Sequence, residues 1–296
     1  MLPPWLKAWW SSFERGRKTR IFVVRQDDLL LGIAPLIVDG DTAFLVGDSD
    51  LIDYSDFITA HLRERDFFLA LLQHLRGEGI RCLDAGRLRA DSLSLSFLRT
   101  HSPAPGCKVT CSAEDTLYEM KVPESWEEYL GLLSGRERHE TRRKLRRLES
   151  SGHVAFRVVE NTKDIQASME TFVGLFRSST GEKARFMTGP VESFFRSLAA
   201  GMSDAGLLRL CFLDVNDTPV ASVMCFDYDG TFYLYNNGYD RSFGHLSVGL
   251  LSKVFSIREA VMRGRKRYNF LRGAEPYKLR LGGRPVKLVH CEVLLK

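Results

Sequence analysis

The sequence predicts a mixed α/β fold on mostly antiparallel sheets, and three features predict it. Apolar runs at 207–213, 219–227 and 231–236 are separated by the turn pairs Asn216-Asp217 and Asp229-Gly230, which reads as a strand meander. A glycine-bearing stretch, 238–249, then feeds an apolar helical segment that ends near Arg263. A strand at 267–271 returns after it, and strands interleaved with helices in this way mark a layered α/β domain.

The first half opens with a short helix at 4–13 and two apolar runs, 20–25 and 29–38, around Gln26-Asp27-Asp28, a hairpin pattern. A strand at 42–47, an acidic loop and a helix at 65–77 follow, the helix carrying Phe67, Phe68, Leu71, Leu72 and Leu75 at helical spacing. Residues 82–84 read as one more strand. The Pro/Gly/Ser stretch 102–112 has weak patterning and marks the expected boundary, giving an N-terminal domain at 1–112 and a C-terminal domain at 113–296. A strand at 117–122 alternates apolar and polar residues. Ser125 then stands three residues before Glu128, a capping-box spacing that starts a helix. A second helix, 137–149, ends before Ser151-Gly152, and a strand at 154–159 precedes helices at 163–178 and 191–203. A short helix at 274–279 and a strand at 286–294 close the chain.

With 296 residues and 44% hydrophobic composition, the chain can bury a core without staples. Its longest charge-free apolar stretch, 29–38, is about half the ~20 residues that cross a bilayer, so no membrane span is expected. The N-terminus lacks the pattern of a secretion signal, which makes the cytoplasm the default compartment. The cysteines at 82, 107, 111, 211, 225 and 291 show no CxxC pairing, so neither a disulfide framework nor a zinc site is indicated, and no metal is expected. Cys211 and Cys225 lie inside apolar strand runs, as buried free thiols do. The net charge of +5 is uneven: residues 136–147 hold seven Arg or Lys against two acids. Arg138, Arg142 and Arg146 share one helical stripe, and like charges four residues apart cost a few tenths of a kcal/mol per pair. Either the stripe is simply solvated or it meets an anionic partner.

Chemistry concentrates where the strand at 231–236 meets the following helix. Glycines at 238, 244 and 249 let the backbone approach a ligand, Ser247 is available as a helix cap, and amides at such a helix start favour a pyrophosphate. Arg241 adds a full positive charge beside them. The alternative is an ordinary strand-to-helix turn. A polar stretch, 179–187, with Arg185 and an exposed-looking Phe186 and Met187, is either an acceptor-side lid or a plain solvent loop.

The pair Arg241-x-x-Gly244 resembles the acyl-CoA pyrophosphate loop of GNAT acetyltransferases, with Leu246 departing from the usual small residue. The wider run is similar to the FemAB-like, CelD-type branch of that superfamily, found among bacterial exopolysaccharide and cell-envelope proteins. It comprises Tyr233-x-Tyr235-Asn236-Asn237-Gly238-Tyr239-Asp240, Leu246-Ser247-x-Gly249 and Tyr268-Asn269-Phe270-Leu271-Arg272-Gly273-x-Glu275-x-Tyr277-Lys278. Pro3, Trp5, Trp9 and Trp10, the basic helix and the strand around Pro35 extend the likeness over nearly the whole chain. The resemblance implies two tandem GNAT-like domains with the donor site in the second. It also implies an acyl-CoA donor such as acetyl-CoA held by Arg241, Gly244, His245, Leu246, Ser247, Gly249, Asn269 and Arg272.

Amine attack on a thioester needs a proton acceptor, a polarised carbonyl and a proton for the leaving thiolate. Asp240 and Glu275 are candidate acceptors, unless they only cap the loop and the helix. Tyr239 and Tyr277 are candidate proton donors, or half-buried packing residues. The resemblance ties Lys278 to the donor or the transition state, as a point cation; a surface lysine is the alternative. Asn236, Asn237, Arg185 and Phe186 fall on the acceptor side. The leading function is therefore N-acyl transfer from acyl-CoA to a small-molecule or glycan-precursor amine. An aminoacyl-tRNA-dependent peptidyltransferase and a non-catalytic module of polysaccharide assembly are the competing readings, and the sequence carries no signal for an oligomeric state.

Overall fold

The structure is a computed structural model and describes residues 2–13, 18–47, 51–100, 105–179 and 181–295. In chain order its elements are α1 (Pro3–Phe13), β1 (Lys18–Gln26), β2 (Leu29–Asp39), β3 (Thr42–Leu45), β4 (Ile58–Thr59), α2 (Glu64–Gly77), β5 (Cys82–Arg89), α3 (Leu93–Thr100) and β6 (Cys107–Lys121). Then follow α4 (Trp126–Leu132), α5 (Gly135–Glu149), β7 (Val154–Val159), α6 (Thr162–Ser179), α7 (Gly181–Phe186), α8 (Gly189–Asp204), β8 (Leu208–Val215), β9 (Thr218–Tyr228) and β10 (Thr231–Tyr239). A 3-10 turn (Arg241–Leu246), α9 (Val248–Met262), β11 (Arg267–Arg272), α10 (Pro276–Arg280) and β12 (Arg284–Leu295) complete the chain.

The fold is mixed α/β and divides into two compact units, Glu14–Leu117 with Val286–Lys296, and Leu2–Phe13 with Tyr118–Pro285. In the first unit β1, β2 and β3 form an antiparallel meander, turned at Asp27 (φ 53°) and Gly40 (φ 59°). Helix α2 crosses over, β5 returns parallel to β3, and β12 pairs antiparallel with β5. The stripe Phe67, Phe68, Leu71, Leu72 and Leu75 on α2 is buried, and it packs with Leu36, Ala43, Leu83 and Leu88 of the strands.

The second unit repeats this plan with more strands. β7, β8, β9 and β10 form the antiparallel meander, α9 crosses over, and β11 returns parallel to β10. Both tight turns use left-handed residues, Asn216 (φ 49°) with Asp217 (φ 62°) and Asp229 (φ 46°) with Gly230 (φ 68°). Such two-residue turns match the twist of the strands they join. Val248, Leu251, Val254 and Ile257 of α9 share one core with Tyr129 of α4, Leu148 of α5 and Leu213, Val223 and Phe232 of the sheet. An aromatic chain packs separately, from Trp5 through Phe194 and Phe195 to Tyr235, with ring centroids 5.5, 5.9 and 5.7 Å apart. Each such ring buried contributes about 1.5–3 kcal/mol of apolar transfer.

Several features depart from the sequence expectations. Helix α1 packs in the second unit because Trp5 sits edge-on to Phe194. The boundary expected near residue 112 lies inside β6, where Cys107, Val109 and Cys111 alternate onto the first core, a period-2 signal obscured by the neighbouring glycine and prolines. The last strand pairs with β5 of the first unit, so the expected division at 112/113 is replaced by an exchange of chain ends. Cys111 and Cys291 are disulfide-bonded at a sequence separation of 180, because the fold and not local spacing brings them together. Helix α3 was not expected at all. Cys211 and Cys225 are free and buried, as anticipated, and no helix among the described residues is long and apolar enough to cross a membrane.

At Gly238 an added Cβ would lie 2.3 Å from Phe176 N and 2.5 Å from Leu175 C, so the α6 backbone rests directly on β10. Gly238→Ala is expected to lower the urea-unfolding free energy of the second unit by about 2–3 kcal/mol. Gly244→Ala meets nothing within 4 Å and should change it by less than ~0.5 kcal/mol. Equal unfolding midpoints for the two variants would contradict this packing.

Candidate active site

The second unit opens a fork in its sheet. β10 and β11 pair at Thr231 with Arg267, Phe232 with Tyr268 and Tyr233 with Asn269, and no further pair forms between them. On the β10 side the register to β9 shifts between Leu234 and Asn236, which leaves Tyr235 as the extra residue of a bulge. A bulge bends its strand and strengthens the twist. On the β11 side Leu271 N donates to Asn269 Oδ1 at 2.8 Å, and Leu271 takes a left-handed backbone, φ 61°. That conformation costs a non-glycine residue about 1–2 kcal/mol and turns the chain away from its neighbour.

Side chains replace the strand partners lost at the fork. Lys278, only 2% exposed, donates from Nζ to Leu271 O at 3.2 Å and to Arg272 O, and pairs with Glu275 Oε2 at 3.0 Å. Gly273 takes φ 113°, a backbone conformation that favours glycine whatever the space around it. Along β10, Tyr239 N donates to Ser179 Oγ at 2.8 Å and Asn237 N to Asn236 Oδ1 at 3.0 Å. Lys253 of α9, 6% exposed, donates to Asn237 Oδ1 at 3.1 Å and to Gly249 O, and its Nζ lies 4.9 Å from the centre of the Tyr277 ring. One buried ammonium thus joins β10, α9 and α10. Beneath it Ser256 Oγ and Tyr268 OH share a hydrogen bond at 2.7 Å. Burial pushes the Tyr268 hydroxyl well above the ordinary phenol range, so that group stays neutral.

The loop leaving β10 is a 3-10 turn capped by Asp240, whose Oδ1 accepts from Ser242 N at 2.9 Å and from Ser242 Oγ at 2.8 Å. Ser247 occupies the N-cap position of α9 in a left-handed conformation, φ 60° and ψ 29°, and its side chain makes no capping bond. By helix geometry the amides of Val248 and Gly249 at the start of α9 have no intrahelical acceptor and carry the positive end of the dipole. Arg241 and His245 are exposed on the turn, and Arg241 forms no ion pair among the described residues. Leu246 is buried in the core with α9. The glycines act differently from the expectation that they make room for a ligand. Gly238 admits the α6 backbone and Gly249 admits the Tyr239 ring, 2.7 Å from an added Cβ, which leaves Gly244 as the open one of the three.

The fold therefore gathers Asn236, Asn237, Tyr239, Gly249, Asn269, Arg272, Glu275, Tyr277 and Lys278 around the fork, with Arg241, Gly244 and His245 on the adjoining turn. Arg185 and Phe186 lie apart from that network, in α7, a helix where a loop was expected. Phe186 packs on Phe176 at 6.3 Å between centroids, and Met187 is buried and not exposed. α7 follows Ser179, the α6 residue that holds Tyr239, so it is tethered to the end of β10. The basic helix α5, capped by Ser134, lines a cavity of about 700 Å³ with Arg136, His139 and Lys144, opposite Leu250 of α9 and Tyr277 and Arg280 of α10. The Arg143 side chain bonded to Glu140 holds that carboxyl down at about 2, so it stays ionised and offsets part of the local positive charge.

Lys253, Ser256 and Ser179 of this network escaped the sequence reading. Lys253 had a usable signal, as a lysine in a segment apolar on every side, where burial and a partner are forced. Ser179 had none, since its role depends on a strand 60 residues away.

The Asp240 geometry separates a cap from a proton acceptor. Asp240→Asn keeps the accepting oxygen and should leave the thermal midpoint within about 1 °C, whereas Asp240→Ala is expected to cost about 1 kcal/mol. A large destabilisation by Asn would contradict the capping role.

The Acetyltransferase (GNAT) domain family matches residues 135–279, from the start of α5 through the Tyr277-Lys278 pair. No curated protein matches the chain by sequence. Among solved structures, FemX aligns at 12% identity over 97% of this chain and 90% of its own, with a TM-score of 0.67. A conserved protein of unknown function from Bacteroides thetaiotaomicron aligns at 14% identity, 98% and 88% coverage and a TM-score of 0.65. A tandem GNAT protein from the clavulanic acid biosynthesis pathway aligns at 9% identity, 94% and 82% coverage and a TM-score of 0.51. The domain match lies within the second unit, and the tandem GNAT protein shares the fold of this chain.

Proposed function

We propose that the chain is an acyl-CoA-dependent N-acyltransferase whose acceptor is an amine on an envelope or polysaccharide precursor. The observation that carries this reading is the fork, where two parallel strands part beside a helix start and an exposed arginine. A donor pyrophosphate suits the Val248 and Gly249 amides with Arg241. The pantetheine arm suits the fork, where its amides replace a missing strand, and the thioester then reaches the Tyr277-Lys278 end.

The acceptor nitrogen attacks the thioester carbon directly. The N–C bond forms, the C–S bond breaks, the amine proton passes to a carboxylate and the thiolate takes a proton from a phenol. Glu275, exposed at the turn with Oε2 paired to Lys278, suits the first proton better than Asp240, which is half-buried and caps the 3-10 turn. Tyr277, beside the Lys253 ammonium, suits the second. Lys278 is committed to two carbonyls and Glu275, so its role is to position that turn.

A second reading, with an aminoacyl-tRNA donor, is favoured by one observation: Arg142, Arg146 and Arg147 of α5 are exposed and form no ion pair among the described residues. Calorimetric titration with acetyl-CoA, set against filter binding of charged tRNA, separates the two. The expected result is micromolar acetyl-CoA binding, weakened at least about tenfold (~1.4 kcal/mol) by Arg241→Ala, and tRNA binding that vanishes by ~200 mM salt. Salt-resistant tRNA binding without CoA binding would contradict the proposal. In turnover assays across an amine panel, Glu275→Gln should lower kcat about 10²–10⁴-fold with acetyl-CoA affinity retained. Unchanged kcat would remove Glu275 from the chemistry.

A further inference from the structure

The first unit carries a second fork, and its chemistry is opposite in sign. β3 and β5 pair in parallel at Thr42 with Cys82, Ala43 with Leu83 and Phe44 with Asp84, after which β3 ends and β5 continues. A pocket of about 420 Å³ opens there, between Phe44, Leu45 and Val46 on one side and Asp84, Gly86 and Arg87 on the other. The corresponding place in the second unit carries helix-start amides and an arginine. Here the lining holds four carboxylates, Asp39, Asp53, Asp84 and Glu114, against one arginine, Arg87, and one histidine, His290. Such a lining repels phosphates and attracts cations.

We infer that Asp84, His290 and Glu292 form a binding site for a first-row divalent cation of the zinc type at the wall of this pocket. The three side chains offer one nitrogen and carboxylate oxygens that all lie within 4.8 Å of one another. Ligands ~2.1 Å from a tetrahedral ion lie about 3.4 Å apart, so the set closes by an inward movement of up to about 1.4 Å, which rotation of the exposed Glu292 side chain can supply. A mixed imidazole and carboxylate set suits zinc, cobalt or manganese and not a soft thiophilic ion.

The surroundings are those that metal ligands need. His290 Nε2 donates to Asp84 Oδ1 at 2.8 Å, and an ion taking both atoms would replace that proton. The other ring nitrogen, Nδ1, faces Glu114 Oε2 at 3.6 Å, and Glu114 Oε1 in turn accepts from Arg87 Nε at 3.0 Å. A carboxylate behind a ligating histidine fixes its tautomer and raises its basicity. Asp84 is aimed by a bulge: between Arg87 opposite His290 and Asp84 opposite Glu292, β5 has two residues where β12 has one. Gly86 supplies the left-handed turn of that bulge, φ 60°, and its amide donates to Asp84 Oδ1 at 2.7 Å. His290 and Glu292 flank Cys291, which is buried and tied to Cys111 of β6, so β12 is anchored at the position between the two ligands.

The test is zinc titration of the full, disulfide-bonded chain by competition with a chromophoric chelator, with cobalt absorption as a second readout. The expected result is one zinc per chain at micromolar affinity. Asp84→Asn and His290→Gln should each weaken it at least tenfold, and Glu114→Gln by about 10–100-fold. Far-UV circular dichroism identifies a misfolded variant, and ligands on two different strands leave one variant to decide if the other fails. The bound cobalt should show d–d bands without a thiolate charge-transfer band. Affinity unchanged in the folded ligand variants, or a thiolate band lost in Cys82→Ser, would overturn the site, as would affinity no tighter than millimolar. None of these readouts depends on acyl transfer, so the outcome stands apart from that of the proposed activity.

Discussion

The parallel pairing of β10 with β11 stops after Tyr233 and Asn269, and the rest of the second unit's site follows from that interruption. Separating two strands inside a protein leaves backbone amides and carbonyls without partners, at about 1–3 kcal/mol for each buried group. The chain meets this cost with side chains. Asn269 accepts from Leu271, Lys278 donates to the two carbonyls that follow, and Asn236 and Ser179 accept from amides of β10. Lys253 then bridges the forked strand to the helix start and the Tyr277 ring. The residues that resemble a catalytic set are in large part the residues that hold the fork open, and this explains why two lysines are buried in so small a volume.

The same topology occurs twice in the chain: three antiparallel strands, a crossover helix and a parallel return. Both parallel contacts stop after a short pairing. What differs is charge. The fork of the second unit is bordered by an exposed arginine and a helix start, with the basic α5 beside it, and the fork of the first unit is lined by carboxylates around His290. On the readings proposed above, one architecture carries an anion-seeking fork in the second unit and a cation-seeking fork in the first, distinguished by their charge.

Much of this was legible in the sequence where signals are local. Period-2 and helical spacing placed the meander, α2, α5 and α9, and Asn216-Asp217 and Asp229-Gly230 took the left-handed backbones that such pairs favour. Ser125 also behaves as its position suggested, with Glu128 N donating to its Oγ at 3.2 Å. Ser247 did not, because a preceding 3-10 turn, capped by Asp240, delivers the chain into α9 in a left-handed conformation. Non-local features escaped altogether. The exchange of chain ends, the Cys111–Cys291 bond and the cluster around His290 each join segments far apart in sequence, and no residue pattern encodes such a partner. Gly238 and Gly249 were read as room for a ligand when they are room for a helix backbone and a tyrosine ring. A glycine signals close approach without saying what approaches.

The most direct test of the central claim is a crystal structure of the full chain with a thioether analogue of acetyl-CoA, which binds without reacting. The account predicts the diphosphate against the Val248 and Gly249 amides near Arg241, and the pantetheine arm running between β10 and β11 beyond Tyr233 and Asn269. An analogue seated elsewhere, with the two strands drawn together over the fork, would contradict it.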